Sequence, residues 1–237
     1  LTSFFTDQEK YRGVMREMLD NEIRLTSRVG SLPDTYSFSK RGFLHDSVSM
    51  PRVIFGTTEY IKDGLLPITE WLGATPWSDR MLTMLRDLNK QTDVAGGFGE
   101  NSFGRAPEDE VNGELLQILS RVYWMTGEDE YLDWAVQIGE HFVNEAYPLD
   151  SHYLRLRDHG CEIVSGLCEL YVTLSFADPE KKAYFQEPIH RLLDYISKEG
   201  TNEDGMFYNA INPQSGEAVE PNLADSWGYT LKGFFSA

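Results

Sequence analysis

Apolar residues recur three and four positions apart along most of this chain, and alternation of apolar with polar residues is scarce. The first spacing is typical of helices that bury one side, whereas alternation would indicate strands. The pattern therefore predicts an almost wholly α-helical protein. The predicted helices are Asp7 to Arg28, Pro51 to Leu72, Ser78 to Lys90, Asp109 to Met125, Glu128 to Glu145, His159 to Phe176, Pro179 to Lys198, and Ala224 to the end.

Several of these helices begin at residues with a physical reason to be there. The run Asp178-Pro179-Glu180 supplies in succession a capping side chain, a first-turn proline and an acid that complements the helix dipole.

Two segments interrupt the helical pattern. Turn residues surround a short aromatic run from Asp204 to Glu217, which predicts a small β-hairpin or an extended loop. The glycines of residues 96–105 predict a second loop.

The predicted helices follow one another in pairs. An apolar helix that ends in a short turn precedes a more amphipathic one, and the next pair begins about 50 residues later, as in stacked helical hairpins. A fourth pair begins at Ala224 and is interrupted after Ala237. We therefore expect residues 1–237 to form one helical-hairpin domain that is incomplete as given and belongs to a longer chain.

Acidic residues outnumber basic ones, with 38 Asp and Glu against 21 Lys and Arg, which gives a formal net charge of −17. A field of this sign repels phosphate, so we expect no nucleic-acid partner. No run of residues approaches the roughly 18 apolar positions of a membrane span.

The two cysteines, Cys161 and Cys168, would lie about 10 Å apart in one helix. That separation exceeds disulfide reach, so we expect two buried thiols.

Two stretches of the sequence carry a resemblance to known proteins. One is Tyr123-Trp124-Met125-Thr126-Gly127-Glu128-Asp129-Glu130-Tyr131-Leu132-Asp133-Trp134-Ala135, at the turn between paired helices. The other is Asp204-Gly205-Met206-Phe207-Tyr208, followed by Asn212-Pro213 and Gly216-Glu217. Together with the repeated pairs, these stretches resemble the (α/α) toroids of the six-hairpin glycosidase superfamily, over the range from Val48 to Ala237.

The resemblance implies a toroid in which the first helix of each pair lies inside and the second outside. It also implies a carbohydrate substrate, and a site at the mouth where the N-terminal ends of the inner helices meet. The superfamily includes hydrolases, lyases and epimerases, so this fold does not fix the reaction. A secreted or periplasmic location is favoured by the same resemblance.

Acidic residues stand at the predicted N-terminal ends of the inner helices. Glycosidic cleavage needs one carboxylic acid to protonate the leaving oxygen and a second carboxylate about 5 to 10 Å away to activate water or attack the sugar. The candidate catalytic residues are Asp158, Glu110, Asp225 and His159. The candidate substrate-binding residues are Glu114, Glu162, Arg105, Arg155, Arg157, Trp227, Tyr229 and Phe103.

These candidates also have purely structural explanations. Acids in a first helical turn cap free N–H groups and complement the helix dipole, and aromatic side chains at helical spacing are usually part of a core. The arginines either bind a carboxylated or sulfated sugar or form ion pairs with nearby acids.

Three functions remain open from the sequence alone. One is a glycoside hydrolase-like domain acting on an oligo- or polysaccharide, including uronic or otherwise anionic ones. Another is a polysaccharide lyase in which Tyr229 or His159 removes a proton. The last is a non-catalytic helical scaffold that binds a peptide or glycan. The histidines lack metal-ligand spacing and no nucleotide-binding motif is complete, so we expect no metal and no cofactor. The oligomeric state stays open.

Overall fold

The computed structural model describes residues 8–93, 108–158, 160–223 and 228–237. This part of the chain is mostly helical and carries small antiparallel sheets. The predicted helical character is therefore confirmed. We expected one domain, and contacts within the chain divide it into two compact units, Leu1–Val94 and Ala95–Ala237.

The first unit is built from helices joined by short hairpins. Its helices are α1 Gln8–Thr26, α2 Met50–Tyr60, α3 Leu66–Leu72 and α4 Pro76–Asp93. A π-helical turn, Ile61–Leu65, joins α2 to α3 without a break. The hairpins pair β1 Ser27–Val29 with β2 Leu32–Pro33, and β3 Tyr36–Ser37 with β4 Gly42–Phe43.

The π turn has a covalent cause. Pro67, in the first turn of α3, has no backbone N–H, and its ring crowds the carbonyl group four residues earlier. The N–H of Leu66 donates to the carbonyl oxygen of Ile61, five residues back, so the helix widens by one residue before the proline. The helix predicted from Pro51 to Leu72 is thus present, with a wider turn inside it.

A buried carboxylate fastens the hairpins of the first unit. Asp34 accepts hydrogen bonds from Arg28 and from two nitrogens of Arg52, each at 2.9 Å, and only 1% of its side chain is exposed. Arg28 also donates to the carbonyl oxygens of His45 and Asp46. The hydrogen bond from Arg52 is the largest cause that lowers the pKa of Asp34, to about 2.

The second unit combines helical hairpins with one small sheet. Its helices are α5 Glu108–Thr126, α6 Asp129–Asn144, α7 Glu162–Ala177, α8 Pro179–Glu199 and α9 Gly228–Ser236. Its strands, β5 Leu154–Arg155, β6 Tyr208–Asn212 and β7 Glu217–Leu223, form one antiparallel sheet in the order β5-β6-β7. Helix α6 packs on α5, and α8 packs on α7.

Helices α5 and α7 run parallel in direct backbone contact. A Cβ atom on Gly113 would lie 2.3 Å from the carbonyl carbon of Glu162, and one on Gly166 would lie 2.5 Å from the carbonyl oxygen of Gly113. Further along both helices, Trp124 Nε1 donates to Thr173 Oγ1 at 3.0 Å. Since residue numbers increase together along this contact, the N-terminal ends of α5 and α7 lie at the same end.

Helix α9 continues this arrangement on the other side of α7. Its Thr230 Oγ1 donates to the carbonyl oxygen of Leu156, just before α7, at 2.9 Å. Its Gly233 lies against Val164 and Cys168 of α7. The three helices α5, α7 and α9 are therefore parallel neighbours.

Several local predictions can be compared directly with this structure. The predicted cap of α8 is confirmed, because an oxygen of Asp178 accepts the Lys181 N–H at 3.1 Å. Both cysteines are free and buried, as expected. Strands β6 and β7 confirm a hairpin near residues 204–217, although β7 extends to Leu223. Helix α7 begins at Glu162 and not at His159 as predicted.

The later start of α7 has a local reason. The N–H of Cys161 donates to the carbonyl oxygen of Arg157, which closes a separate turn before the helix. Gly160 also packs on the side chain of Arg155, at a position where a Cβ would be 2.5 Å from the Arg155 Cβ. The predicted loop 96–105 and the predicted helix start at Ala224 lie outside the described residues.

Candidate functional site

Helix α5 carries a line of buried polar side chains. Glu110, Glu114 and Gln117 are spaced by four and three residues, which places them on one side of the helix. All three are buried in a helix whose other buried residues are largely apolar. Carboxylate oxygens of Glu110 and Glu114 lie within 4.8 Å of each other.

Helix α7 carries a matching line. Glu162, Ser165 and Glu169 are spaced by three and four residues and share one side of the helix. Glu162 and Ser165 are buried, and Glu169 is nearly so. Within the described part of the chain, Ser165 Oγ makes no hydrogen bond. Burial of an unsatisfied hydroxyl costs roughly 1–3 kcal/mol relative to a hydroxyl that makes a hydrogen bond.

A lysine on α9 shows that the two lines point to the same side. Lys232 Nζ donates to Gln117 Oε1 at 3.1 Å and forms an ion pair with Glu169 Oε1. One ammonium group therefore contacts α5 and α7 together. We call the side formed by Glu110, Glu114, Gln117, Glu162, Ser165, Glu169 and Lys232 the polar face.

The N-terminal part of the polar face concentrates acidic groups. Glu110 and Glu114 lie in the first turns of α5, and Glu162 is the first residue of α7, next to Gly113. Removing carboxylates from water carries a large desolvation cost, even where partners reduce it. The two carboxylates of Glu110 and Glu114 offer at most four oxygen ligands, whereas a hard cation takes six or more, so this pair alone does not define a metal site.

Asp158 lies in the turn that leads into α7 and is half-buried. Burial is the main cause that raises the pKa of the neighbouring Cys161 thiol to about 12, and the negative charges of Glu162 and Asp158 add to it. Asp158 and Glu162 lie three residues before and one residue after this cysteine in the sequence. Thr230 of α9 also bonds the Cys161 side chain, so the start of α9 lies beside this cysteine.

Two of the predicted arginines, Arg155 in β5 and Arg157 just after it, have acidic or aromatic partners. Arg157 Nε lies 3.6 Å from Glu220 Oε2, and Tyr153 OH donates to Glu220 Oε1 at 2.6 Å. The Tyr153 hydrogen bond lowers the pKa of Glu220 most, and Arg157 and Arg155 add to this effect. Arg155 also lies over the Tyr153 ring, at 5.9 Å. The ion-pair alternative therefore holds for Arg157.

The other predicted site residues divide into two groups. Tyr229 is half-buried in the first turn of α9. Five candidates lie outside the residues with a described placement: Phe103, Arg105, His159, Asp225 and Trp227.

Gln117, Ser165, Glu169 and Lys232 were not among the predicted site residues. The sequence did contain a signal for the first three. Gln117 follows the selected Glu114 by three residues, and Ser165 and Glu169 follow the selected Glu162 by three and seven. Each therefore places a polar residue on the same side of an apolar helix as an acid already selected. Lys232 had no such signal, since it contacts a side chain 115 positions away in the sequence.

No family model matches the chain, and no curated protein matches it. The resemblance to the six-hairpin superfamily therefore stays a hypothesis, and functional inference rests on the polar face itself. None of the described helices has the length and apolar character needed to cross a membrane.

Proposed function

We propose that this chain is a carbohydrate-active domain with an (α/α) toroid plan that cleaves glycosidic bonds by carboxylate chemistry. The observation that carries the proposal is the polar face, on which the parallel helices α5 and α7 present buried carboxylates near their N-terminal ends. In this plan α5, α7 and α9 are inner helices, and α6 and α8 are outer helices. The pairwise packing of α6 on α5 and of α8 on α7 supports that assignment.

The proposed roles follow from position. Glu110 on α5 and Asp158 before α7 approach the bond from two different elements, as an acid and a base must. Glu114 and Glu162 lie beside them and accept hydrogen bonds from sugar hydroxyls, which are good donors to carboxylates. Tyr229 supplies a ring edge or a hydroxyl from α9.

A purely structural role explains the polar face poorly. An acid that only caps a helix is satisfied in an exposed first turn, whereas Glu110, Glu114 and Glu162 are buried. Stability is better served by apolar side chains at such positions, because replacing buried charges by packed hydrophobic groups is often neutral or stabilising. Buried ionisable groups gathered at one place are typical of functional sites.

The proposal is tested by measuring the reducing ends that the chain releases from a panel of neutral and uronic oligosaccharides. We expect the chain to release reducing ends, and the substitutions Glu110→Gln and Asp158→Asn each to lower kcat by about a hundredfold or more. Glu140→Gln and Asp133→Asn, at exposed positions of α6, are the matched controls and should retain the original rate. Circular dichroism and the thermal midpoint should be alike in all four variants.

Other outcomes decide against the proposal. Full activity in both Glu110→Gln and Asp158→Asn would show that these two residues are not the catalytic acid and base. An unsaturated product with ultraviolet absorbance would identify a lyase, and binding without any product would identify a non-catalytic scaffold.

A further inference from the structure

Lys232 differs from the other members of the polar face in both charge and accessibility. Its side chain is 38% exposed, whereas its partner Glu169 is 12% exposed and Gln117 is buried. The Lys232 side chain is therefore partly open to solvent, whereas its two partners are largely buried. A lysine ammonium has three N–H donors, and these contacts occupy two. Within the described part of the chain, a third N–H is left for a ligand.

The contacts of Lys232 also fix its place relative to the acids. Gln117 lies three residues after Glu114 on the same side of α5, and its Nε2 donates to the carbonyl oxygen of Gly113 at 3.3 Å. Glu169 lies two turns after Glu162 on α7. The positive charge therefore stands on the same face as the carboxylates, further from the helix starts. The Lys232 ammonium thus lies one to two helical turns beyond the carboxylates along the polar face.

Arg155 and Arg157, which were predicted from the sequence as substrate-binding cations, have their contacts elsewhere. Arg157 is paired with Glu220 on the sheet, and the Arg155 side chain packs over Gly160 and Tyr153. Lys232, by comparison, contacts Gln117 and Glu169 of the polar face.

We propose that Lys232 is a specificity-determining residue that binds the carboxylate of a uronic acid unit in the substrate. This inference rests on the proposed function and adds its substrate class. Glu169 balances the ammonium before the ligand arrives, and Gln117 orients it. The substrate carboxylate takes the remaining N–H, in a charge-assisted hydrogen bond stronger than a neutral one. A neutral sugar at the same place lacks that bond.

The experiment compares each cleaved uronic oligosaccharide with its own methyl ester, which differs only in charge. The measured quantity is the ratio of kcat/KM for the acid to kcat/KM for the ester. Lys232→Gln should lower this ratio about tenfold or more, mainly through KM, whereas Lys232→Arg should retain most of it. Lys198→Gln is the matched control, because Lys198 also pairs with a glutamate but lies on the exposed side of α8. It should keep the original ratio.

A second variant changes the ratio in the opposite direction. Glu169→Gln removes the charge that neutralises Lys232, so the preference for the acid over the ester should rise several-fold. A purely structural ion pair predicts something else, namely that Lys232→Gln and Glu169→Gln lower stability alike and leave the ratio unchanged. If Lys232→Gln does not fold, Lys232→Arg and Glu169→Gln carry the test.

The two proposals fail in different ways. If the unmodified chain cleaves no glycan, the proposed function is wrong. If it cleaves glycans but treats acid and ester equally, or if the ratio is unaffected in Lys232→Gln and Glu169→Gln, the role of Lys232 is wrong while the proposed function stands.

Discussion

The carboxylate of Asp34 lies between two guanidinium groups, and this position has a measurable thermodynamic consequence. Its pKa of about 2 is below the ordinary value of 3.8, chiefly because Arg52 stabilises the ionised form. A carboxylate whose pKa is lower in the folded state stabilises the fold above the unfolded pKa. That contribution is complete above about pH 4 and is lost as the pH falls through about 2.

We expect Asp34→Asn to lower the free energy of unfolding at pH 7 by about 2 kcal/mol, the free-energy equivalent of the pKa difference. The variant should also lose part of the steep decline in stability between about pH 4 and pH 2. Urea unfolding at neutral and acidic pH measures both effects. Asp20→Asn, at an exposed position of α1, is the control and should behave like the original chain. An unaltered pH dependence in Asp34→Asn would show that Asp34 is not the titrating group.

The close contact between helices α5 and α7 predicts that replacement of Gly113 by alanine destabilises the fold. In Gly113→Ala the new methyl group meets backbone atoms of α7 at 2.3 Å, and backbone cannot rotate away as a flexible side chain can. Overpacking typically costs about 1–3 kcal/mol, and contact with backbone places this substitution at the upper end of that range. Thermal or denaturant unfolding should show this loss, and the proposed activity should fall with it.

Gly13→Ala in α1 is the matched control for this substitution. Gly13 also lies inside a helix, but nothing approaches its Cβ position within 4 Å. Alanine there should stabilise the chain by about 0.5–1 kcal/mol, because alanine is the better helix former. Equal effects of Gly13→Ala and Gly113→Ala would contradict the close approach of α5 and α7.

The helices could be predicted from the sequence because their cause is local. A stripe of apolar residues, a capping Asp178 and a first-turn Pro179 act within one or two turns, so they are visible in a short window. The π turn at 61–65 was not predicted, since the apolar spacing on both sides of it is still helical. Strand β5 was also missed because it has two residues and exists only through pairing with β6, more than 50 positions away.

The candidate site likewise has some residues that the local sequence indicates and other features that depend on distant contacts. Glu110, Glu114 and Glu162 could be selected from the sequence, because acids at the start of an apolar helix are conspicuous. The pairing of Arg157 with Glu220 and the position of Lys232 between Gln117 and Glu169 depend on packing between distant segments. No window of the sequence contains both partners of either contact.

The net charge of −17 acts on the molecule as a whole. Like charges repel within the compact state, and dissolved salt screens that repulsion, with a Debye length that falls from about 30 Å at 0.01 M to about 8 Å at 0.15 M. We therefore expect the thermal midpoint to rise by a few degrees over that range of salt. Differential scanning fluorimetry in sodium chloride measures the change. A falling midpoint would show that exposed ion pairs outweigh the summed repulsion.

The glycine contact between α5 and α7 also bears on how this protein can change during evolution. Because Gly113 and Gly166 bring the two backbones together, neither helix can slide along the other without a collision. The separation between the starts of the two helices is therefore set by main-chain atoms. Exchange of acidic side chains at these starts alters the chemistry offered to a ligand while the distance between their attachment points stays constant. Under the proposed function, single substitutions on the polar face would change the substrate preference without rebuilding the helical framework.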